Sequence, residues 1–416
     1  MTMTQSVKQE MPEGYKRTEI GVIPEDWDIK TCGELGSFYK GRGISSKDLV
    51  EDGLPCIMYG DIYVKFDTKF SNPDFRINEK TASKSARARN GDLFFTGSGE
   101  TAEEIGKCVV YQGDNDIFIG GDIIALSPSK DVDSLFLAYM QNGEMLLTQK
   151  ANLGQGYTVV HIYTEHIKSL KVPLPPTKNE QTVIATVLYD IDALINKTKD
   201  LVEKKKNIKQ GAMQELLTGN RRLPSFGDKW VTNRLGNIFR VTRGQVLAMT
   251  KTTEYIIGES QYPVYSSQTK SNGLAGYYKD YLFQDCITWT TDGANAGDVK
   301  YRAGKFYCTN VCGVLESKEG YSNPCIAAIF NSISKKYVSY VGNPKLMNNV
   351  VADIEISMPK TIEEQTAISK ILSNMDSEIE KLESELEKYK NIKQGMMQNL
   401  LTGKIRLNKK LWTNNQ

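Results

Sequence analysis

The segment from Val172 to Leu223 returns, without a gap, as Ile356 to Leu407. Both copies open on Pro-x-Thr-x-x-Glu-Gln-Thr, at Pro175–Thr182 and Pro359–Thr366. Both close on Lys-Asn-Ile-Lys-Gln-Gly through Leu-Leu-Thr-Gly, at Lys206–Gly219 and Lys390–Gly403. Roughly half of the aligned positions are identical, more than shared helical composition gives, so the chain contains a duplicated structural unit. Any fold for it must alternate two like units with two unlike segments.

The repeated unit reads as a long helix. Thr177-x-x-Glu180 and Thr361-x-x-Glu364 have the spacing of capping boxes, in which the threonine hydroxyl accepts from a first-turn N–H and the glutamate reaches back to the threonine N–H. Gly219 and Gly403 stand where a left-handed C-terminal cap is needed, so each helix covers about 40 residues, or about 60 Å. In the second copy Leu372, Met375, Ile379, Leu382, Leu386, Tyr389, Met396 and Leu400 alternate three- and four-residue steps, the seam of a coiled coil. The first copy keeps Leu188, Ile191, Ile195, Val202, Ala212 and Leu216 in register but places Thr198 and Lys205 on the seam. Lys209 and Lys393 interrupt both copies, and the seam shifts there. The simplest arrangement pairs the two helices with each other. Antiparallel pairing would give pseudo-two-fold symmetry, with a domain at each end of the rod.

The expected architecture is therefore α+β: two similar mixed α/β domains separated by two long helices in an antiparallel coiled coil. The boundaries fall at 1–17 (an N-terminal arm), 18–173 (first domain), 174–223 (first helical repeat), 224–358 (second domain), 359–407 (second helical repeat) and 408–416 (a tail). In the first domain strands are expected at Cys56–Tyr59, Leu93–Thr96, Lys107–Tyr111 and Ile123–Leu126, then a helix over Asp133–Gln149. In the second they are expected at Ile287–Thr290, Lys305–Thr309 and Val311–Leu315, then a helix over Pro324–Asn331. The openings echo one another: Trp27, Leu35-Gly36 and Arg42-Gly43 against Trp230, Leu235-Gly236 and Arg243-Gly244.

Little in the chain suggests catalysis. Phe95-Thr96-Gly97-Ser98-Gly99 fits a short pattern used to bind S-adenosylmethionine, but the Asn/Asp-Pro-Pro-aromatic loop that would hold a flipped base is missing, and a strand running into a Gly/Ser turn explains the match. There is no phosphate-binding loop for ATP, no Glu-x-Lys after Asp74 for a nuclease, and only His161 and His166 for a hydrolase or a zinc site. The seven cysteines scattered over 416 residues read as reduced core thiols. No run of about 18 apolar residues could span a membrane, and Met1–Tyr15 is polar, so the expected location is the cytoplasm, with no membrane partner.

A formal charge of +2 leaves any nucleic-acid binding to local patches. Lys40-Gly41-Arg42-Gly43, with Ser45 and Lys47, and Arg87 and Arg89 are the candidates in the first domain. Arg240, Arg243, Lys251, Ser266, Ser267, Gln268 and Lys270 are those in the second. Arginine can pair with guanine in two bonds, glutamine with adenine, and serine with base or phosphate; an ordinary solvated surface is the alternative for each.

With the Pro-x-x-x-x-Glu-Gln helix starts, the Leu-Leu-Thr-Gly endings and the opening Ile20-Gly21-Val22-Ile23-Pro24-x-x-Trp27, the chain resembles the specificity (S) subunits of type I restriction-modification systems. Gly91–Thr96, Gly120-Gly121-Asp122 and Tyr262–Ser267 look like phrases common in that family. The resemblance implies two target-recognition domains, each reading half of a bipartite double-stranded DNA sequence, and a helical pair that fixes the unread spacer. It also implies two methyltransferase (M) subunits docked on the helices, and motor-nuclease (R) subunits in the complete restriction enzyme. This chain would bind no cofactor, and S-adenosylmethionine, ATP and Mg would sit on the partner subunits. Alternatives are a specificity subunit for a system without type I motor subunits, a compact methyltransferase using Phe95–Gly99, and a coiled-coil scaffold that binds only proteins. Thr198 and Lys205, against Leu382 and Tyr389, put the equivalence of the two docking faces in doubt.

Overall fold

Each long helix begins where a threonine caps it: the Glu180 amide donates to Thr177 Oγ1 at 3.2 Å and the Glu364 amide to Thr361 Oγ1 at 3.3 Å. The helices run Lys178–Leu216 and Ile362–Leu400, and Gly219 and Gly403 follow with φ of 74° and 67°, the left-handed conformation that glycine adopts without strain. This computed structural model describes residues 11–407 apart from 157, 268, 269 and 318. It forms two units, one holding residues up to Thr198 and from Glu385 on, the other Lys199–Ser384. Each unit thus contains one strand-rich domain and a portion of both helices.

Within each unit the helical segments run antiparallel, and identical residues of the repeat make the same bonds twice. In the first, Asp192 meets Lys393 at 2.6 Å and Glu180 meets Arg406. In the second, Asp376 meets Lys209 and Glu364 meets Arg222. Lys209 and Lys393, which break the apolar seam in sequence, therefore reach acids on the facing helix. Leu188, Ile195 and Leu400 are buried in the first unit; Val202, Leu216, Leu372 and Ile379 are buried in the second. Fully burying one such side chain contributes about 1.5–3 kcal/mol. Ile191, Met375, Leu382, Leu386 and Tyr389 are half-buried. The two off-pattern residues find separate solutions: Thr198 turns its hydroxyl back to Leu194 O at 2.8 Å, and Lys205 pairs with Glu378 at 2.6 Å.

The expected capping boxes are only half made. Glu180 and Glu364 do not reach back to their threonines; each takes an arginine in two parallel bonds, Glu180 from Arg406 at 3.0 and 2.8 Å and Glu364 from Arg222 at 2.8 and 2.8 Å. With Glu180 and Glu364 only 3% and 2% exposed, a full counter-charge satisfies each carboxylate better than one backbone N–H could. The next residue ties helix to domain. Gln181 donates to Pro175 O and accepts from the Asp133 amide; Gln365 donates to Pro359 O and accepts from Asn323 Nδ2. Asp133 and Asn323 are themselves the N-caps of the domain helices that begin at Ser134 and Pro324.

The two domains share a plan. In each, an opening strand pairs antiparallel with the strand that leads into a long helix: Asp28–Thr31 with Lys171–Leu174, and Val231–Arg234 with Glu355–Met358. In the first domain one sheet has the order Gly36–Lys40, Ile123–Pro128, Leu93–Thr96, Cys108–Tyr111, Lys69–Phe70. The second domain repeats that order as Arg240–Arg243, Cys312–Glu316, Phe283–Thr290, Val299–Cys308, then Tyr262–Tyr265 and Leu274–Tyr278. The first domain adds a second five-stranded sheet, Leu49–Val50, Phe75–Ile77, Leu54–Ile57, Ile117–Ile119 and Ala86–Ala88.

Several sequence expectations shift. The strand expected at Cys56–Tyr59 is Leu54–Ile57, and Tyr59 already opens a short helix. The single helix expected over Asp133–Gln149 is two, Ser134–Gln141 and Glu144–Leu153. Asn142 ends the first because its side chain accepts from the Cys108 amide at 3.0 Å and donates to Cys108 O at 2.7 Å, while Gly143 caps the second. Tyr15–Thr18, overlapping the segment read as an arm, forms a hairpin with Gly21–Pro24, and the Tyr15 hydroxyl donates to Gly403 O at 3.0 Å. Residues 1–10 and the tail 408–416 lie outside the described residues.

Lys150 is wholly buried in the first domain, with its ammonium donating to Gly106 O at 2.6 Å. Burial pushes its pKa down to about 8. The unfolded chain holds this proton more tightly, so the penalty is full below pH 8 and fades as pH rises toward the ordinary lysine value. The expected result for Lys150→Met is a stability difference from wild type that falls by on the order of 3 kcal/mol between about pH 8 and pH 10.5. Denaturant titrations of both chains across that range check it, and a pH-independent difference would contradict it.

Candidate nucleic-acid interface

In the first unit the strand Gly36–Lys40 ends in a tight passage. A Cβ on Gly41 would lie 1.8 Å from Gly120 O, so only glycine lets the chain pass, and the amides of Gly41 and Arg42 donate to Ile123 O and Ile119 O. Lys40, Arg42 and Lys47 leave this passage exposed. Ser45 is committed locally, its hydroxyl donating to Asp48 Oδ2 at 2.6 Å and its amide at 2.9 Å. Gly43 packs against Lys84 and Ser85, which places the loop beside the lead-in to Ala86–Ala88 and to Arg87 and Arg89. Arg89 is exposed; Arg87 is paired with Asp116.

Sequence reasoning passed over what lies next to Lys40. The same cleft is lined by Ser98, Asp122, His161 and Tyr163. Ser98 and His161 face each other across two short antiparallel strands, with Oγ 3.0 Å from Nδ1. Among the described residues no carboxylate bonds the other ring nitrogen, so the pair has no third member to orient it as a nucleophile–base couple. It leaves polar side chains lining the cleft.

In the second unit Gly244 repeats the passage of Gly41: the amides of Gly244 and Gln245 donate to Cys312 O and Cys308 O, and a Cβ on Gly244 would lie 2.2 Å from Cys308 O. The structural counterpart of Arg243-Gly244 is therefore Lys40-Gly41, two residues before the Arg42-Gly43 that matches it in sequence. Backbone crowding, not the arginine, fixes the correspondence. Arg243 approaches Thr291 Oγ1 at 3.5 Å, Lys251 is exposed, and Arg240 is engaged across the strands with Glu316 at 2.7 Å. Gln268 and the side chain of Lys270 lie outside the described residues.

Ser266 lines a polar pocket, with Ser267 next to it in the chain. The Ser266 hydroxyl accepts from Thr309 Oγ1 at 2.9 Å, and Ser267 O accepts from Asn295 Nδ2 at 3.2 Å. The wall behind them is made by Thr288, Asn295, Lys300 and Arg302. Arg302 is only 7% exposed. Its guanidinium stacks 3.7 Å from the Tyr265 ring centroid and donates to Thr288 Oγ1 at 3.2 Å and Asn272 O at 2.9 Å. Burial pulls the pKa of both Arg302 and Lys300 below their ordinary values. Neither cation was singled out in the sequence, because both sit in an unremarkable alternating strand and only the fold reveals their burial.

The helices keep apolar side chains in solvent as well. Tyr189, Leu194 and Ile392 are exposed in the first unit; Leu201, Ile208 and Ile362 are exposed in the second. Of the seam residues, by contrast, Leu188, Ile195, Val202, Leu216, Leu372, Ile379 and Leu400 are buried.

A family model described as "Type I restriction modification DNA specificity domain" matches residues 24–204 and again 227–388. A relative in Methanocaldococcus jannaschii, the "Putative type I restriction enzyme MjaX specificity subunit", is 26% identical over 95% of this chain and 97% of its own length. "Putative type I specificity subunit S.MpnORF285P" of Mycoplasma pneumoniae is 34% identical over 40% of this chain and 58% of its own. Among solved structures, the type I restriction-modification S subunit from M. genitalium superposes with a TM-score of 0.61 at 17% identity, covering 90% of this chain and 96% of that one. This last likeness supports the fold: two like domains and two long helices. With the family model matching both halves in turn, this chain belongs to the type I restriction modification DNA specificity family.

Proposed function

We propose that this chain is the non-catalytic recognition subunit of a type I restriction-modification complex, and that its two domains read the two halves of a bipartite, asymmetric double-stranded DNA target. The observation that carries this reading is the pairing of a repeated support with unlike surfaces. The same ion pairs and glutamine ties anchor both domains, while the groups beyond the matching strands differ: Lys40 with Ser98 and His161, which face each other across an antiparallel pair, against Arg243 with Asp292 and Lys345, which face each other in an antiparallel bridge and pair at 4.0 Å. Like supports make the two domains approach DNA in the same way, and unlike edge groups make them read different bases. The exposed apolar positions on the helices suit two methyltransferase subunits, which would hold S-adenosylmethionine. Motor-nuclease subunits with ATP and Mg would complete the restriction enzyme. Among the described residues no helix is long and apolar enough to cross a membrane, which fits work on cytoplasmic DNA.

The test is a genome-wide adenine-methylation map of cells expressing the cognate methyltransferase with and without this chain. A split, asymmetric motif should vanish with the chain; an unchanged map, with the complex assembled, would refute the reading. Arg42→Ala should then weaken methylation of sites according to one half of the motif only. Equal loss of discrimination in both halves would rule out a local role for Arg42.

A further inference from the structure

We propose that the pocket around Arg302 is a phosphate seat, holding one backbone phosphate of the DNA half-site read by the second domain; this rests on the DNA-reading function proposed above. A guanidinium that is nine-tenths buried costs several kcal/mol unless an anion pairs with it. Among the described residues no carboxylate is paired with Arg302; its bonds go to a hydroxyl and a carbonyl, and its face to a ring. The nearest thiol, Cys312, is pushed up to about 11 by burial and is neutral at pH 7. Asp298 also lines the pocket, but its carboxylate pairs with Lys335. Lys300 adds a second cation, bonded among the described residues to the neutral Asn272 side chain and partly offset by the charge of Asp298. Among the described residues Arg302 is thus left without a paired anion, and an anion from outside the chain would supply that counter-charge.

The pocket's position selects the anion. Ser266 and Asn295 line it and can donate to an anionic oxygen; Ser266 belongs to the segment that carries polar recognition candidates of the second domain, and Asn295 is tied to that segment through its bond to Ser267 O. A phosphodiester, compact and acceptor-only, suits two convergent cations with a serine at the edge. Guanine O6 and N7 present acceptors too, so the experiment must tell backbone from base.

Binding of a duplex carrying the mapped motif is measured for the full chain in complex with its methyltransferase, from low to moderate salt. Arg302→Met should weaken binding by roughly tenfold or more, whatever the bases of the second half-site, and should reduce the slope of log K against log salt by about 1. Lys300→Met, at a less buried position, should reduce the slope in the same direction and serves as the readout if Arg302→Met fails to fold. In duplexes with one neutral methylphosphonate at a time, a single position in the second half-site should cost wild type what Arg302→Met costs, and cost the variant nothing more. Unchanged slopes in both variants would overturn the proposal, as would a loss confined to one base-pair identity, which would mark a base contact. Wild-type complex that fails to bind the motif at all would sink the DNA-reading function itself, a separate outcome.

Discussion

Gly313→Val is expected to unfold the second domain while the first remains native. Gly313 pairs in register with Trp289 on the neighbouring strand, and a Cβ there would lie 2.1 Å from Cζ2 of the indole. The ring has no route of escape: it is 1% exposed, donates from Nε1 to Leu346 O at 3.0 Å, and meets Phe330 edge-on with centroids 6.3 Å apart. Expelling a buried tryptophan costs about 3–5 kcal/mol, and stranding the Leu346 carbonyl about 1–3 kcal/mol more. A domain's whole stability is about 5–15 kcal/mol. Hydrogen exchange reads the outcome by segment. Protection should collapse over Phe283–Thr290 and persist over Leu93–Thr96, and the methylation map should lose discrimination in one half of its motif. Protection retained over Phe283–Thr290 would show that the sheet can accommodate the side chain and that this contact is not critical.

This expectation could not be written from the sequence, where Trp289 and Gly313 lie on separate strands and the contact depends on register. What was legible was periodic or doubled. The two helices followed from a seam of alternating three- and four-residue steps and from a threonine and a glycine at matching ends, and the strand Leu93–Thr96 from its short run of apolar residues. The break at Asn142-Gly143 did carry a local turn signal, but helical spacing across it hid the interruption. Charged residues were the hardest to place. Glu180 had the spacing of a capping box, and only the fold brings in Arg406, far along the chain, as its partner. Arg302 has the sequence setting of a solvent-facing strand residue, while the visible arginines Arg240 and Arg87 are engaged with Glu316 and Asp116. A charge can be read from sequence, but its burial and its partner are tertiary facts.

The same reasoning makes the buried arginine–glutamate pairs the second large effect. Arg222→Met would leave the Glu364 carboxylate, 2% exposed, with the Trp230 indole N–H at 3.4 Å as its one remaining partner among the described residues. Breaking a buried pair from one side costs about 3–5 kcal/mol, because the remaining charge stays desolvated, whereas an exposed pair costs about 0–1 kcal/mol. Arg222→Met should therefore destabilise the second unit by several kcal/mol, and Arg222→Met with Glu364→Gln should recover much of that loss, since no bare charge is then buried. Arg406→Met should do the same to the first unit through Glu180, although Arg406 also bonds Asp26 and so leaves two acids unpaired. Denaturant unfolding of the three variants and wild type decides the matter. A loss under about 1 kcal/mol for Arg222→Met would place its pair among surface ion pairs. A large loss for Arg222→Met with none for Arg406→Met would mean that the duplicated bonds are equivalent in geometry and not in energy. Equal, large losses would show why the glutamate at the start of each long helix and the arginine beyond the end of its neighbour occur twice: within each unit the pair locks the helix start to the returning helix, so each domain is held on a like support.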